Sequence, residues 1–168
     1  LEDDVVAEAP VAPPTQKAIF AYGNDGSSAV SMSNLVNSSG VIASDVTGVG
    51  TARAGSAAAS YGTDKAIFGY GSGNSMTNLV TSVGVVGTDV TGVGTGRSNL
   101  AAAGYGTDKA IFGYGETAVP VSMTNLVSNV GVVSTDTTGV GTARYILAAT
   151  GYGGDKAIFG YGFTYIDG

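Results

Sequence analysis

The chain has 168 residues, of which 28 are glycine, and carries a formal net charge of −6 at neutral pH. It has no cysteine, which excludes a disulfide scaffold, a thiolate metal site and a thiol nucleophile, and no histidine, the commonest general base. The acidic balance argues against nucleic-acid binding, and no apolar run reaches the roughly 20 residues of a membrane span. A hydrophobic content of 43% is too high for a disordered chain, so we expect a folded, β-rich protein that is not an enzyme.

The first 16 residues differ in composition from the rest of the chain. They carry four acidic residues and three prolines, which fix φ and remove amide donors. We expect residues 1–16 to form an extended arm that contacts other subunits, together with two aromatic residues at the other end of the chain. The expected contact residues are Val5, Val6, Pro10, Val11, Pro13, Pro14, Phe163 and Tyr165.

Three sequence blocks then recur in a fixed order, and such repeats indicate a repeat architecture. The first block, Lys-Ala-Ile-Phe, begins at Lys17, Lys65, Lys109 and Lys156. The second block contains Met32, Met76 and Met123, and the third ends at Arg53, Arg97 and Arg144. These blocks predict repeats over residues 17–64, 65–108 and 109–155 and a partial repeat over 156–168. Only the segment before the methionine varies in length, which is typical of an exposed loop.

Each repeat contains short hydrophobic segments separated by Gly, Ser, Thr and Asp, which predict about four strands. We place them at Leu100–Tyr105, Lys109–Gly115, Val121–Val127 and from Val130 to Val133. In the second strand, alternation puts Ala110, Phe112 and Tyr114 on one face and Ile111, Gly113 and Gly115 on the other. The glycine face suggests that another backbone or an aromatic ring comes close.

Four short strands in about 45 residues are typical of a propeller blade. The stretch 97–115, an arginine followed by small residues and a hydrophobic strand with two glycines, resembles the Kelch-type repeat. Tyr114 separates the glycine pair, and the Kelch tryptophan is absent. The Lys-Ala-Ile-Phe-Gly-Tyr-Gly repeat is more closely similar to repeats of virion (tail-fibre) and surface proteins of phages and bacteria. That resemblance implies a structural or receptor-contacting role.

The repeats predict an all-β fold of tandem, antiparallel, four-stranded units in a propeller-like arrangement, with a β-solenoid stack as the alternative. A closed propeller needs about four to eight blades, so about three and a half units are incomplete in one chain. We expect neighbouring subunits to complete the series, because open sheet edges favour pairing with another chain.

The charged residues repeat with the blocks, which argues against a unique active site. Asp64, Asp108 and Asp155 precede the lysines, and Asp45, Asp89 and Asp136 precede the arginines. We interpret them as hydrogen-bonding and ion-pairing residues that fix turns. The alternatives are a glycosidase carboxylate pair, which needs two different pKa values, and a calcium site at Asp-x-Thr-Gly-Val-Gly. We predict no catalytic residue, no bound metal and no cofactor.

These observations predict a non-enzymatic structural protein, extracellular or on a virion surface, whose repeats self-assemble into an oligomer or fibre with the arm bridging subunits. The alternative is a glycan- or receptor-binding module of a tail fibre or adhesin, in which the loops of variable length contact the ligand. The candidate contact residues are Asn24, Asp25, Ser72, Asn74, Glu116 and Thr117. The expected partner is the protein itself, with surface glycans as a second partner, and neither nucleic acid nor membrane insertion is expected.

Overall fold

The structure is a computed structural model that describes residues 18–165. The expected arm, with six of the proposed subunit contacts, lies outside the described residues. The described chain is all-β and contains ten strands. They are β1 (Ala18–Asn24), β2 (Ala29–Val36), β3 (Ala57–Tyr61), β4 (Lys65–Gly69), β5 (Thr77–Val80), β6 (Ala101–Tyr105), β7 (Lys109–Gly113), β8 (Thr124–Val127), β9 (Ala148–Tyr152) and β10 (Lys156–Gly160).

The strands form four small antiparallel sheets in chain order. Sheet 1 is β1–β2, sheet 2 is β3–β4–β5, sheet 3 is β6–β7–β8 and sheet 4 is β9–β10. In sheets 2 and 3 the Lys-Ala-Ile-Phe strand is central, between a strand of small residues and a Thr-Asn-Leu-Val strand. The described residues include no helix of a length and apolarity that could cross a membrane.

All four predicted strands are shorter in the structure: the first begins at Ala101 instead of Leu100, and the third begins at Thr124 instead of Val121. The strand from Lys109 ends at Gly113 because Tyr114 has a φ of 62°, in the left-handed region. The expected fourth strand is reduced to two isolated bridges, Val127 with Val133 and Thr124 with Thr137. Between these bridges the side chain of Asn125 donates to the carbonyl of Ser134 at 3.1 Å.

The hydrophobic core lies between successive sheets. Phe68 of sheet 2 packs on Tyr22 of sheet 1, with the ring centroids 5.5 Å apart, and Phe112 of sheet 3 packs on Tyr70 of sheet 2 at 5.1 Å. Small residues on the first strands let the backbones approach, since a β-carbon on Gly104 of β6 would lie 3.3 Å from the Ser60 carbonyl oxygen of β3. Each sheet therefore buries its apolar side chains against its neighbours in the chain.

The glycine face of the central strand receives an aromatic ring, as the sequence predicts. A β-carbon on Gly69 would lie 2.7 Å from the Phe112 ring, and one on Gly113 would lie 2.9 Å from the Phe159 ring. The expectation that Tyr114 shares a face with Phe112 is wrong. The positive φ of Tyr114 turns its ring towards sheet 4, where it packs on Phe159 with centroids 5.4 Å apart.

Candidate functional site: an arginine joint between sheets

Successive sheets are held together by a set of polar contacts, called a joint below. The centre of each joint is a buried arginine on the connection between the two sheets. Arg97, between sheets 2 and 3, is fully buried, and its guanidinium carbon lies 4.3 Å from the ring centroid of Tyr70. It donates from Nη2 to Asn125 Oδ1 at 2.8 Å and from Nε to the carbonyl of Tyr114 at 2.7 Å. The cation thus contacts the sheet before it by stacking and the sheet after it by hydrogen bonds.

An asparagine and an aspartate of the following sheet complete the joint. Asn125 Nδ2 donates to Asp136 Oδ1 at 2.9 Å, and Asp136 Oδ2 accepts from the Thr95 hydroxyl at 2.7 Å. The Thr95 amide donates to the same carboxylate at 3.0 Å. Since Thr95 and Arg97 lie on the connection, the carboxylate fixes that connection to sheet 3.

Most of these contacts recur between sheets 1 and 2, but the buried Arg53 Nε has no hydrogen-bond partner among the described residues, unlike Arg97 Nε. Arg53 is fully buried, stacks 4.5 Å from the ring centroid of Tyr22 and donates to Asn78. Its Nη1 lies 3.5 Å from Asp89 Oδ1, and the Thr51 hydroxyl donates to Asp89 Oδ2 at 2.7 Å. The joint therefore occurs twice in the chain with similar geometry, which indicates that it stabilises the packing of successive sheets.

The joint shifts the pKa values of its titratable groups. Burial raises the pKa of the Asp89 carboxyl, but hydrogen bonds from Thr51 and Asn78 and the Arg53 charge outweigh it, so the pKa lies below its ordinary value. The Asp136 carboxyl has a lowered pKa from the same balance, with Asn125, Thr95 and Arg97. Burial raises the pKa of the Tyr70 phenol to about 12 against the opposing charge of Arg97.

Asp89 and Asp136 are hydrogen-bonding residues, as the interpretation of their repeat pattern expects. Both oxygens of each carboxylate accept bonds from protein donors. They do not fix a turn of their own repeat, because their threonine donors are 38 and 41 residues earlier, and Asp89 also lies 3.5 Å from Arg53. Within residues 18–165 no group of three or more His, Cys, Asp or Glu side chains could hold a metal ion.

The aspartates before the lysines pair with those lysines at the surface, and Asp108 also accepts a hydrogen bond from Asn129 Nδ2 at 3.0 Å. Each lysine contacts the aspartate next to it in sequence, at 3.3 Å for Lys65, 3.8 Å for Lys109 and 2.6 Å for Lys156. Exposed pairs of this kind contribute between 0 and about 1 kcal/mol to stability. They stabilise the turns weakly and form no site.

The first and last sheets each present part of a joint. In sheet 1, Asn34 donates to Asp45 at 2.8 Å, and no arginine among the described residues contacts the pair. At the other end, Arg144 lies 4.9 Å from the Tyr114 ring centroid and donates to the carbonyl of Tyr161 at 3.0 Å. The buried Nε of Arg144 has no hydrogen-bond partner among the described residues.

The two proposed contact residues inside the described range, Phe163 and Tyr165, pack on the chain itself. Phe163 exchanges two backbone hydrogen bonds with Tyr145, at 2.9 and 3.0 Å. The Tyr165 ring lies 5.7 Å from that of Tyr145. Both side chains are still more than half exposed, at 59% and 51%.

The candidate ligand-contact loops bond largely within the chain. Asp25 Oδ1 accepts the amides of Ser27 and Ser28 at 2.8 and 2.9 Å, and Glu116 Oε1 accepts from Asn99 Nδ2 at 2.6 Å. Three other candidates make local hydrogen bonds, Asn24, Asn74 and Thr117. Ser72 bonds to the backbone of Ala54, on the connection before sheet 2. The second and third loops are neighbours, because Ser98 accepts from the Gly73 amide and pairs with Glu116.

Sequence reasoning missed the threonines of the joint, Thr51 and Thr95. Their signal is their fixed position two residues before the arginine in each copy of the third block. Comparison of the sequence with models of known protein families, and with curated proteins, finds no match.

Proposed function

We propose that the protein is a non-enzymatic structural protein of an extracellular or virion surface whose β-repeats self-assemble into an oligomer or fibre. In this proposal the N-terminal arm bridges subunits. The side-by-side packing of the sheets supports a propeller-like arrangement of the repeats, with a β-solenoid stack as the alternative. The resemblance of the repeat to virion and surface repeats supports the location.

The joints support a structural role because their polar groups are used to hold sheets together. Arg53 and Arg97 are fully buried and bonded to asparagines, and the carboxylates of Asp89 and Asp136 are bonded to threonine and asparagine donors. A catalytic acid–base pair needs two groups with pKa values pushed apart. Here both carboxyls are shifted in the same direction by the same set of partners.

The observation that carries the proposal is the complementarity of the two end sheets. Inside the chain, the phenylalanine of each central strand packs on the tyrosine of the sheet before it, as Phe159 does on Tyr114. At one end Phe20 is 60% exposed; at the other, Tyr161 is 88% exposed, and a β-carbon on Gly160 would meet open space among the described residues. In this proposal, Phe20 on sheet 1 of one copy packs on the exposed surface around Tyr161 and Gly160 on sheet 4 of another copy. Exposed apolar surfaces of this kind mark interaction sites.

The proposal is tested by measuring particle mass against concentration with light scattering, and particle shape with electron microscopy. We expect oligomers or fibres for the unaltered chain, and loss of assembly for Phe20→Ser and for Gly160→Leu, each of which alters one end face. Val132→Ser is the matched control, since Val132 is similarly exposed, at 65%, but follows β8 of sheet 3, away from both end sheets. A chain that is monomeric at every concentration would contradict the proposal and favour the glycan-binding alternative.

A further inference from the structure

A groove of about 720 Å³ lies between sheets 1 and 2, beside β1. Its walls combine small side chains of β1 and β3 with apolar residues of β4 and β5, including Ala18, Ile19, Ala58, Ser60, Phe68 and Val80. Ala58 pairs directly with Phe68 and lies on the same face of sheet 2, towards sheet 1. The groove thus has a wall of apolar and small side chains, and Thr63, Asp64, Lys65, Thr81 and Ser82 add polar groups to its lining.

The groove lies where the other sheets have a strand. β4, β7 and β10 each pair with a small-residue strand that precedes them, whereas β1 pairs only with β2 among the described residues. Ala102 of β6 occupies the position that corresponds to Ala58 of β3. Ala102 packs against the core between sheets 2 and 3, whereas Ala58 is exposed. The second edge of β1 therefore presents backbone donors and acceptors to the groove, which favours addition of a strand.

We infer that this groove binds an extended segment of the N-terminal arm, residues 1–16, of a second copy of the chain. The inference rests on the proposed function and names the surface through which the arm bridges subunits. The arm contains small apolar residues, among them Val5, Val6, Ala7, Val11 and Ala12, which suit a groove lined by alanine and serine. Backbone pairing with β1 supplies the affinity in this mode of recognition, and the small side chains supply the fit.

The sequence of the arm favours a second copy over the arm of the same chain. In sheets 2, 3 and 4 the small-residue strand joins the next strand through a three-residue turn that begins with Gly62, Gly106 or Gly153, at φ values of 58°, 59° and 61°. The corresponding residue before β1 is Pro14. Its ring fixes φ near −65°, so the same turn cannot lead the arm back into its own groove.

Disulfide cross-linking tests the inference, because the chain has no cysteine of its own. A chain carrying Ala58→Cys is mixed with one carrying Val6→Cys or Val11→Cys, two arm positions that cover different registers. We expect a covalent dimer to form about tenfold faster than in the matched mixture with Thr138→Cys, because binding raises the local thiol concentration. Thr138 is also exposed, but it follows sheet 3 and lies outside the groove and away from both end sheets.

The outcomes separate the inference from the proposed function. Equal rates for Ala58→Cys and Thr138→Cys in a protein that still assembles by light scattering overturn the groove as the arm's site and leave self-assembly standing. An intrachain disulfide in a diluted chain carrying both Ala58→Cys and Val6→Cys, or Ala58→Cys and Val11→Cys, overturns the choice of a second copy. A protein that is monomeric throughout contradicts the proposed function itself.

Discussion

At the scale of single residues, the stability of the repeat depends on one arginine with partners on both sides. The Arg97 guanidinium is removed from water, so its hydration has to be replaced by Asn125, the Tyr114 carbonyl and the face of Tyr70. A buried cation with these partners is tolerated, whereas its partners become unsatisfied when it is removed. The joint therefore makes the arginine position sensitive to substitution.

Arg97→Met should lower the free energy of unfolding by about 3 kcal/mol, because it leaves the buried Asn125 Oδ1 and the Tyr114 carbonyl without their charged donor. Arg144→Met is the matched control. Among the described residues Arg144 stacks on Tyr114 and donates only to the Tyr161 carbonyl, so we expect a loss of about 1 kcal/mol or less. Urea denaturation measures both values, and equal losses would contradict this account of the joint.

The aspartates of the joint predict the pH dependence of stability. In the folded protein the pKa values of Asp89 and Asp136 lie below those of the unfolded chain, about 3.9. The folded state therefore gains stability that is complete above the unfolded pKa and is lost as the pH falls through the folded pKa. We expect the urea midpoint to fall between about pH 5 and pH 2, and to fall less in Asp89→Asn/Asp136→Asn. If the urea midpoint of that variant falls with pH as steeply as that of the unaltered chain, the aspartates of the joint are not the cause.

At the scale of elements, each central strand has two unlike faces that fit the neighbouring sheets. Phe112 points to sheet 2, while Gly113 leaves space for Phe159 of sheet 4. The strand alternation that predicts these two faces follows directly from sequence. The position of Tyr114 does not, because it depends on a left-handed residue that no short pattern marks.

Gly113→Leu should lower the free energy of unfolding by about 1–3 kcal/mol, because the side chain would overlap the Phe159 ring. Gly113→Ala should cost about 1 kcal/mol or less, since sheet 1 carries Ala21 at the corresponding position and still packs Tyr22 against Phe68. Thermal or urea unfolding measures the difference. Equal effects of the two substitutions would contradict the predicted close approach.

At the scale of the whole molecule, the chain is a series of sheets in which each contacts its neighbours in sequence. Cores and joints lie between sheets 1 and 2 and between sheets 2 and 3, and Phe159 extends the contact to sheet 4. Stability in such a series is approximately a sum of intrinsic and nearest-neighbour terms. In the proposed function, the exposed faces of sheets 1 and 4 take part in association and leave the fold of the interior unchanged.

Deletion of residues 1–16 should leave the circular dichroism spectrum and the urea midpoint of the repeats unchanged, because the described cores and joints involve none of these residues. It should abolish or strongly weaken assembly, because in the proposed function the arm bridges subunits. Light scattering of the two chains at equal concentration measures this. Unchanged assembly of the shortened chain would contradict the role of the arm.

The sequence by itself determined that the chain is all-β, that its units repeat, and that the glycine face of the Lys-Ala-Ile-Phe strand is closely approached by a backbone or a ring, because strand alternation and local turn chemistry are short-range properties. Only the tertiary structure decided which sheet each arginine binds, since Arg53 and Asp89 meet across a joint between units that are far apart in sequence. It also decided that Tyr22, Tyr70 and Tyr114 turn towards the next sheet and that a groove opens beside β1. These features depend on how sheets pack, and packing joins residues that no local pattern connects.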